Sequence, residues 1–321
     1  MSFELSRQAL RRRAYNFSFA LKARHRANFR VLNAAQKAEL AAANRAHYKN
    51  VTDEGDLDQA LEGALAEDRL ANVPWLDAAF PLDGARILEI GAGTGESTLA
   101  LAEQGAVVTG VDVDEGALAA GRERCRIYGL KAEFVSGNAA DAARQFAGRT
   151  YDMVIFFASL EHMTHEERFQ AMTGTWGLLR PGGIWCVIEA PNRLWFWDGH
   201  TSMDNFYNWL PDEIAQKWAH RASRPPFAAD FPAGKAFDPV ALARWGRGVS
   251  FHEFDLAFGD ARGLDVISDK SGFLRRSNPL LFAHSLVSKA RRYERFLASI
   301  TPGIHPGFFR QYLDLAVRKP R

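Results

Sequence analysis

The sequence contains little cysteine and no long hydrophobic run. Only Cys125 and Cys186 occur in 321 residues, too few for a disulfide framework or a cysteine-based metal cluster. No apolar stretch approaches the roughly 18 residues that a membrane-spanning helix needs. The N-terminus also lacks the apolar block of a secretory signal. These absences argue against export, and we expect a cytoplasmic protein in a reducing compartment.

Acidic residues are scarce at the N-terminus. Residues 1–49 contain eleven Lys or Arg but only Glu4 and Glu39, although the net charge of the whole chain is +2. Alanine-rich stretches there favour helix. We interpret residues 1–80 as a basic helical extension, with a cleaved transit segment as the alternative. Such an arm is a candidate for contact with acidic lipid, for recruiting an anionic substrate, or for packing on the same chain or on a second copy in a homodimer.

Beyond residue 83 the pattern changes to short apolar segments that alternate with helical ones. The predicted strands ARILEI, AVVTGVD, AEFVSG, YDMVIFF and IWCVIEA come first, and two further strands lie nearer the C-terminus, the last being QYLDLAV. Such alternation predicts an α/β fold with a parallel, doubly wound sheet and helices on both faces. We place this domain at residues 81–321.

Two irregular stretches interrupt the alternation, at about residues 191–248 and 271–309. They follow the fifth and sixth strands, so both should lie over the carboxyl edge of the sheet, where open α/β sheets bind ligands. The first insertion contains five of the eight tryptophans. Its aromatic side chains could form the core of a small lid or the wall of an acceptor site.

A glycine-rich loop follows the first strand in ILEIGAGTGES, at residues 87–97. Gly91, Gly93 and Gly95 are spaced one residue more tightly at the end than the G-x-G-x-x-G pattern of dinucleotide-binding folds. Glu96 stands where a triphosphate-binding loop needs lysine, and its charge would repel phosphate. The loop therefore does not bind a nucleoside triphosphate.

Two carboxylates lie beside this loop. Glu89 ends the first strand, where it can receive an ammonium group directly or through water. Asp112 ends the second strand about twenty residues further on, where a carboxylate can accept both ribose hydroxyls. A nicotinamide dinucleotide offers no cation to Glu89, whereas S-adenosylmethionine offers its amino group. Together with the shortened loop, the two carboxylates favour the methyl donor.

The motifs ILEIGAGTG, VVTGVDVD, YDMVIFFASLEHM and LLRPGGIWCVIEAPN resemble, in order and spacing, those of class I S-adenosylmethionine-dependent methyltransferases. The resemblance covers residues 83–191 and 249–319. It implies a seven-stranded Rossmann-like sheet whose last strand is antiparallel, and S-adenosyl-L-methionine as cofactor. The cofactor-binding residues that it implies are Glu89, Gly91, Ala92, Gly93, Gly95, Asp112, Val113, Asn138, Ala139 and Phe157.

The family also suggests roles for some of these positions. Val113 would line the adenine. Asn138 stands where the family often has an aspartate that binds the adenine amino group, and the asparagine amide oxygen can still accept that hydrogen bond. The backbone carbonyl of Phe157 would contact the methionine moiety.

Histidines follow the fourth and fifth strands, His162 in SLEHM and His200 in NRLWFWDGHTS. A hydroxyl acceptor needs a base, and histidine is the usual one near neutral pH. We take His200 as the candidate base with Asp198 orienting it, and His162 as either catalytic or a hydrogen-bonding residue of the pocket loop. Some quinone-biosynthesis O-methyltransferases bind a divalent metal through E-x-x-E-H here. Ala158 replaces the first acidic residue, so the sequence predicts no metal.

The sequence thus predicts an S-adenosylmethionine-dependent methyltransferase for a small molecule, with O-methylation of a sugar or another hydroxylated acceptor as the leading hypothesis. A looser resemblance of APNRLWFWDGH and FYNWLP to methyltransferases of bacterial polysaccharide clusters supports the sugar. N- or C-methylation, an NAD-dependent oxidoreductase and a non-catalytic cofactor-binding protein stay as alternatives. The absence of an RNA-binding motif, and FASLEH in place of a (D/N)PPY-type loop, argue against nucleic acid.

Overall fold

A seven-stranded sheet in the order β3-β2-β1-β4-β5-β7-β6 forms the centre of the computed structural model, which describes residues 21–47, 63–279, 282–283 and 288–321. Strands β1 to β5 pair in parallel, and β7 runs antiparallel to both β5 and β6. The expected α/β sheet with an antiparallel last strand is confirmed. The strands are β1 Arg86–Ile90, β2 Val107–Asp112, β3 Glu133–Ser136, β4 Tyr151–Phe157, β5 Leu179–Pro191, β6 Asp265–Asp269 and β7 Tyr312–Arg318.

Helices surround this sheet and are numbered here within the described residues. They are α1 Ala23–Asn28, α2 Ala34–His47, α3 Ala64–Glu67, α4 Val73–Ala79, α5 Glu96–Glu103, α6 Glu115–Tyr128, α7 Ala142–Gln145, α8 His165–Leu178, α9 Asp212–Trp218, α10 Pro225–Asp230, α11 Pro239–Arg244, α12 Phe251–Phe258, α13 Lys270–Ser277 and α14 Lys289–Ile300. A π-helical turn, Asp68–Asn72, joins α3 to α4. None of these helices is long and apolar enough to cross a membrane.

The sheet separates two hydrophobic cores. Consecutive side chains of a strand point to opposite faces, so Ile87 belongs to one core and Leu88 to the other. The first core contains residues of α2, α4, α5 and α6, and the second contains residues of α8, α12 and α14. Both faces of the central strands are therefore buried, as the nearly continuous apolar sequence of YDMVIFF requires.

Local capping explains where the helices beside the sheet begin and end. The Asp114 side chain accepts hydrogen bonds from the N–H groups of Gly116 and Ala117, and so caps α6. Gly129 ends that helix in the left-handed conformation, with φ of 65°. These two signals fix the helix that follows β2 and thereby fix the turn after Asp112.

The described part of the N-terminal region packs on the face of the sheet that α5 and α6 cover. Leu40 of α2 and Val73 of α4 lie in the same core as residues of α5 and α6. The Arg30 backbone N–H donates to Glu103 Oε1 at 2.8 Å, and the Arg69 side chain donates to Glu103 Oε2 at 2.8 Å. Residues 1–20 and 48–62, which carry much of the predicted basic arm, lie outside the described residues.

The first insertion, residues 191–248, folds around a small core of its own. This core contains the side chains of Tyr207, Ala215, Ala219, Phe227, Phe231 and Leu242. Arg247 closes the insertion, because its buried guanidinium reaches Asp212 at 3.0 Å and the Leu210 carbonyl at 2.7 Å. Phe206 and Trp209 are about half exposed. Some aromatic side chains of the insertion therefore form its core, and others are exposed.

Candidate active site

The glycine loop turns sharply between β1 and α5. Gly91 has φ of +82°, and a Cβ atom there would lie 2.7 Å from the Phe157 carbonyl oxygen. Gly91 and Ala92 donate their N–H groups to the Val111 carbonyl at 2.9 and 3.0 Å. Only glycine fits the first of these positions without displacing β4. The loop thus lies between the ends of β1, β2 and β4, with Gly91 and Gly93 partly exposed.

Asp112 ends β2 and faces the same loop. Its Oδ2 accepts a hydrogen bond from Gly93 N–H and its Oδ1 one from Asp114 N–H, each at 2.9 Å. A carboxylate has about four acceptor sites, so two remain for a ligand. The half-buried side chain is therefore held in one orientation and is still able to accept two ribose hydroxyls.

Glu89 is fully buried at the end of β1. The hydroxyls of Ser97 and Thr98, in the first turn of α5, donate to its two carboxylate oxygens. Burial raises the pKa of Glu89 to about 7, and these two hydrogen bonds oppose the rise. These two hydroxyls carry no charge. A cation bound beside Glu89 would therefore stabilise its carboxylate further.

The predicted adenine-binding residues lie at the carboxyl ends of β2 and β3. Val113 is exposed, whereas Ala139 is buried. Asn138 caps a 3₁₀ turn, because its Oδ1 accepts from Ala140 N–H at 3.0 Å and its Nδ2 donates to Glu167 at 3.2 Å. One lone pair of Oδ1 is left for an adenine amino group. The side chain is thus a turn residue that is also able to contact a ligand.

Asp198 does not orient the ring of His200, and this corrects the expectation from the sequence. The side chain is buried, and its Oδ1 accepts from the backbone N–H groups of His200 and Thr201 at 3.1 and 3.0 Å. Its Oδ2 accepts from the N–H and the hydroxyl of Ser202. The carboxylate shapes the turn after Trp197 because a buried carboxylate is satisfied by the nearest donors.

His162 and His200 meet at a third residue, Glu161, and we call these three residues the His–Glu cluster. The Nε2 atoms of both histidines lie 3.8 Å from Glu161 Oε1, and the ring centroids are 5.1 Å apart. Burial raises the pKa of Glu161 to about 8, lowers that of His200 to about 4 and also lowers that of His162. The sequence pattern selected both histidines as candidates but did not select Glu161.

The sheet order explains why these residues meet. β4 and β5 are neighbours, with Phe157 opposite Ile188, so the segments that follow the two strands leave the sheet side by side. The turn after β4 carries Glu161 and His162, and the first insertion carries His200. The signal available in the sequence was that the two histidines follow consecutive predicted strands.

The glycine loop lies in a segment of the chain that matches a known protein family. Residues 87–183 match a family described as "Methyltransferase domain". A ubiquinone biosynthesis O-methyltransferase of Rhizobium leguminosarum bv. trifolii is 34% identical over 136 residues, which are 42% of this chain and 52% of that protein. Residues 87–183 thus match a methyltransferase domain, as the resemblance to class I S-adenosylmethionine-dependent methyltransferases leads us to expect.

Other methyltransferases match the same part of the chain. An uncharacterized methyltransferase of Synechocystis sp. is 30% identical over 133 residues, 41% of this chain and 59% of that protein. The crystal structure of a magnesium protoporphyrin IX methyltransferase from Synechocystis with bound SAH is 24% identical, with a TM-score of 0.37 over 48% of this chain and 68% of that one. The chain spans about half the length of the curated relatives it matches.

The segment that matches the methyltransferase domain contains only part of the candidate active site. The methyltransferase domain match contains Glu89, Asp112, Asn138 and His162, whereas His200 in the first insertion lies beyond residue 183. The predicted cofactor residues therefore belong to the part of the chain that resembles known methyltransferases. The segment expected to bind the acceptor lies outside it.

Proposed function

We propose that the protein transfers a methyl group from S-adenosyl-L-methionine to a hydroxyl oxygen of a small molecule. The observation that supports this most strongly is the pairing of Asp112 with the glycine loop, in a chain whose residues 87–183 match a methyltransferase domain. The bound cofactor would supply an electrophilic methyl group on its sulfonium sulfur. The protein mainly has to position the acceptor for in-line displacement.

The residues around the loop fit this cofactor. The absence of a side chain at Gly91 lets the loop pack closely against the end of β4, whereas the space beside Gly93, where no atom lies within 4 Å of an added Cβ, is open to a ligand. Asp112 would accept the ribose hydroxyls with its two remaining acceptor sites, and Val113 would line the adenine. Glu89 would hold the methionine ammonium, since a buried carboxylate with a raised pKa gains from a cation.

The acceptor would bind between the carboxyl end of β4 and the first insertion. The relatives named for ubiquinone biosynthesis are O-methyltransferases, and another is a demethylmenaquinone methyltransferase. Both names support a small-molecule acceptor, and the first favours oxygen as the methylated atom. Phe206 and Trp209, about half exposed and with ring centroids 4.8 Å apart, offer an apolar face to a sugar or another ring.

The first test is calorimetric titration of the purified protein with S-adenosylhomocysteine, with NADH titrated in parallel. We expect binding of S-adenosylhomocysteine alone, in the micromolar range or tighter. Binding of NADH alone would indicate an oxidoreductase and would overturn the proposal. If the cofactor binds, hydroxylated small molecules are screened by mass spectrometry for the gain of one methyl group. Tight cofactor binding without turnover of any acceptor would instead indicate a non-catalytic binding protein.

A further inference from the structure

We propose that Glu161, His162 and His200 form a binding site for a divalent transition-metal ion. The sequence alone predicts no metal here, because Ala158 stands where related metal-binding sequences have an acidic residue. The structure brings a different third ligand to the place, His200, which comes from the first insertion. The inference goes beyond the proposed function, since methyl transfer needs no metal and the site would bind one with or without the cofactor.

The distances in the His–Glu cluster suit an ion better than direct hydrogen bonds. Each histidine Nε2 lies 3.8 Å from Glu161 Oε1, which exceeds hydrogen-bond length. All three ligand atoms lie within 4.8 Å of one another. In a tetrahedral site with ligands about 2.1 Å from the ion, neighbouring ligand atoms are roughly 3.4 Å apart. Small rotations of the side chains would therefore complete the coordination.

The hydrogen bonds of the two rings direct their lone pairs at Glu161. His162 Nδ1 lies 2.8 Å from the Arg244 carbonyl, which only accepts, so Nδ1 carries the proton. The Thr201 hydroxyl donates to the Gly246 carbonyl at 2.6 Å, so its oxygen accepts from His200 Nδ1 at 3.3 Å. Both neutral rings then present an unprotonated Nε2 to the carboxylate. Metal-binding histidines are commonly oriented in this way.

Glu161 supplies an independent sign of a missing partner. Its side chain is fully buried, and within the described residues neither carboxylate oxygen accepts a hydrogen bond. Buried carboxylates are normally paired with a cation or hydrogen-bonded. The site is nevertheless accessible from solvent, because the side chains of His162 and His200 are 38% and 24% exposed. An ion could therefore reach the buried carboxylate between the two rings.

The positive charges of the neighbouring arginines are mostly balanced by carboxylates outside the His–Glu cluster. Arg168 pairs with Glu253, Arg244 with Glu167 at 2.7 Å, and Arg247 with Asp212 at 3.0 Å. Arg224 donates to the His200 carbonyl and lies 5.1 Å from the ring of Trp245. Three of the four positive charges are thus offset by carboxylates of their own.

The donor set indicates the class of metal. Two imidazole nitrogens and one carboxylate oxygen suit Zn²⁺, Fe²⁺, Co²⁺ or Ni²⁺ better than Mg²⁺ or Ca²⁺. Three protein ligands leave at least one position for water or for an acceptor oxygen. An acceptor hydroxyl bound there would become more acidic. His200 would then act as a ligand, not as the base that the sequence suggested.

The test measures metal binding directly. The full-length protein, freed of any affinity tag and treated with a chelator, is titrated with Zn²⁺ and with Co²⁺. We expect one equivalent to bind, and the Co²⁺ form to show the visible absorption of a nitrogen- and oxygen-coordinated ion. Glu161→Gln and His200→Ala should each weaken binding at least tenfold. The matched control His220→Ala removes a histidine of the insertion outside the cluster and should leave binding unchanged.

The outcomes separate this inference from the proposed function. Absence of stoichiometric binding, or equal weakening by His220→Ala, would overturn the metal site. Circular dichroism checks that each variant folds, and His162→Ala replaces Glu161→Gln should that variant unfold. S-adenosylhomocysteine is titrated into the same chelator-treated protein. Cofactor binding without metal binding would remove only the metal site, whereas the reverse result would remove only the proposed function.

Discussion

At the ends of β1 and β2, polar side chains are held by groups close to them in the sequence. Glu89 is bonded by Ser97 and Thr98, eight and nine residues away, and Asp112 by Gly93, nineteen residues away. Near the ends of β4 and β5, a buried arginine of α8 has distant partners as well as near ones. Arg168 bonds Glu253, 85 residues away, and the Arg247 carbonyl, 79 residues away. We call the ends of β1 and β2 the proposed cofactor edge and those of β4 and β5 the proposed acceptor edge. The first is assembled locally, whereas the second also depends on residues far apart in the sequence.

Breaking the acceptor edge should have the largest effect. Arg168 is buried and links α8 to α12 and to the first insertion through Glu253 and the Leu160 and Arg247 carbonyls. Arg168→Met should lower the free energy of unfolding by about 3–5 kcal/mol, because Glu253 keeps its charge without a cationic partner. Urea denaturation followed by circular dichroism measures the loss.

Two further variants test that explanation. Arg149→Met removes an exposed ion pair with Glu133, 2.7 Å long, and should cost no more than about 1 kcal/mol. The double variant Arg168→Met, Glu253→Gln should recover part of the loss, since no unpaired carboxylate remains. A double variant as unstable as the sum of the single ones would show that packing of the guanidinium, and not its charge, holds this edge together.

The local character of the cofactor edge explains what the sequence could predict. The glycine spacing, Glu89, Asp112 and the Asp114 cap lie within two successive strand–helix units, and the strand pattern determined the sheet that joins them. The His–Glu cluster could not be predicted in this way. Its formation depends on where the turn of Asp198 places His200, and that turn forms through hydrogen bonds that composition does not reveal.

The glycine loop should tolerate no side chain at its first position. At Gly91 an added Cβ would lie 2.6 Å from Ser159 Cβ as well as 2.7 Å from the Phe157 carbonyl. Gly91→Ala should therefore cost about 2–4 kcal/mol of stability. Gly148→Ala is the matched control, because its φ of +79° is similar but no atom lies within 4 Å of the added Cβ.

In Gly148→Ala only the backbone conformation is strained, so we expect this control to lose about 1 kcal/mol of stability. Thermal or chemical denaturation of both variants gives the comparison. Similar losses at the two positions would show that the close approach of β4 to the loop is not a constraint on the sequence.

The ribose assignment predicts a smaller effect, confined to binding. Asp112→Asn should weaken S-adenosylhomocysteine binding by about 2 kcal/mol, or roughly 30-fold, because neutral hydrogen bonds replace charge-assisted ones. Calorimetry measures the change. Asp114→Ala serves as the control, since it removes the cap of α6 and should cost about 1 kcal/mol of stability with little change in affinity. If Asp112→Asn binds S-adenosylhomocysteine as tightly as the wild type, Asp112 does not bind the ribose.

The most specific effect concerns pH. Burial raises the pKa of Glu89 to about 7, above its ordinary value of 4.5. A carboxyl group whose pKa is higher in the folded state favours folding while protonated, so its contribution to stability falls as the pH rises from about 4.5 to 7. Cofactor binding should show the opposite trend, because an ammonium group binds only the carboxylate.

The affinity for S-adenosylhomocysteine should therefore rise with pH, by up to about tenfold per unit below pH 7, and level off above it. Glu89→Gln should bind more weakly and without this dependence. Calorimetry between pH 5.5 and 8 in buffers of different ionisation heat would also show proton release on binding by the wild type alone. The same pH dependence in both proteins would assign the titration to another group and leave Glu89 as a structural partner of Ser97 and Thr98.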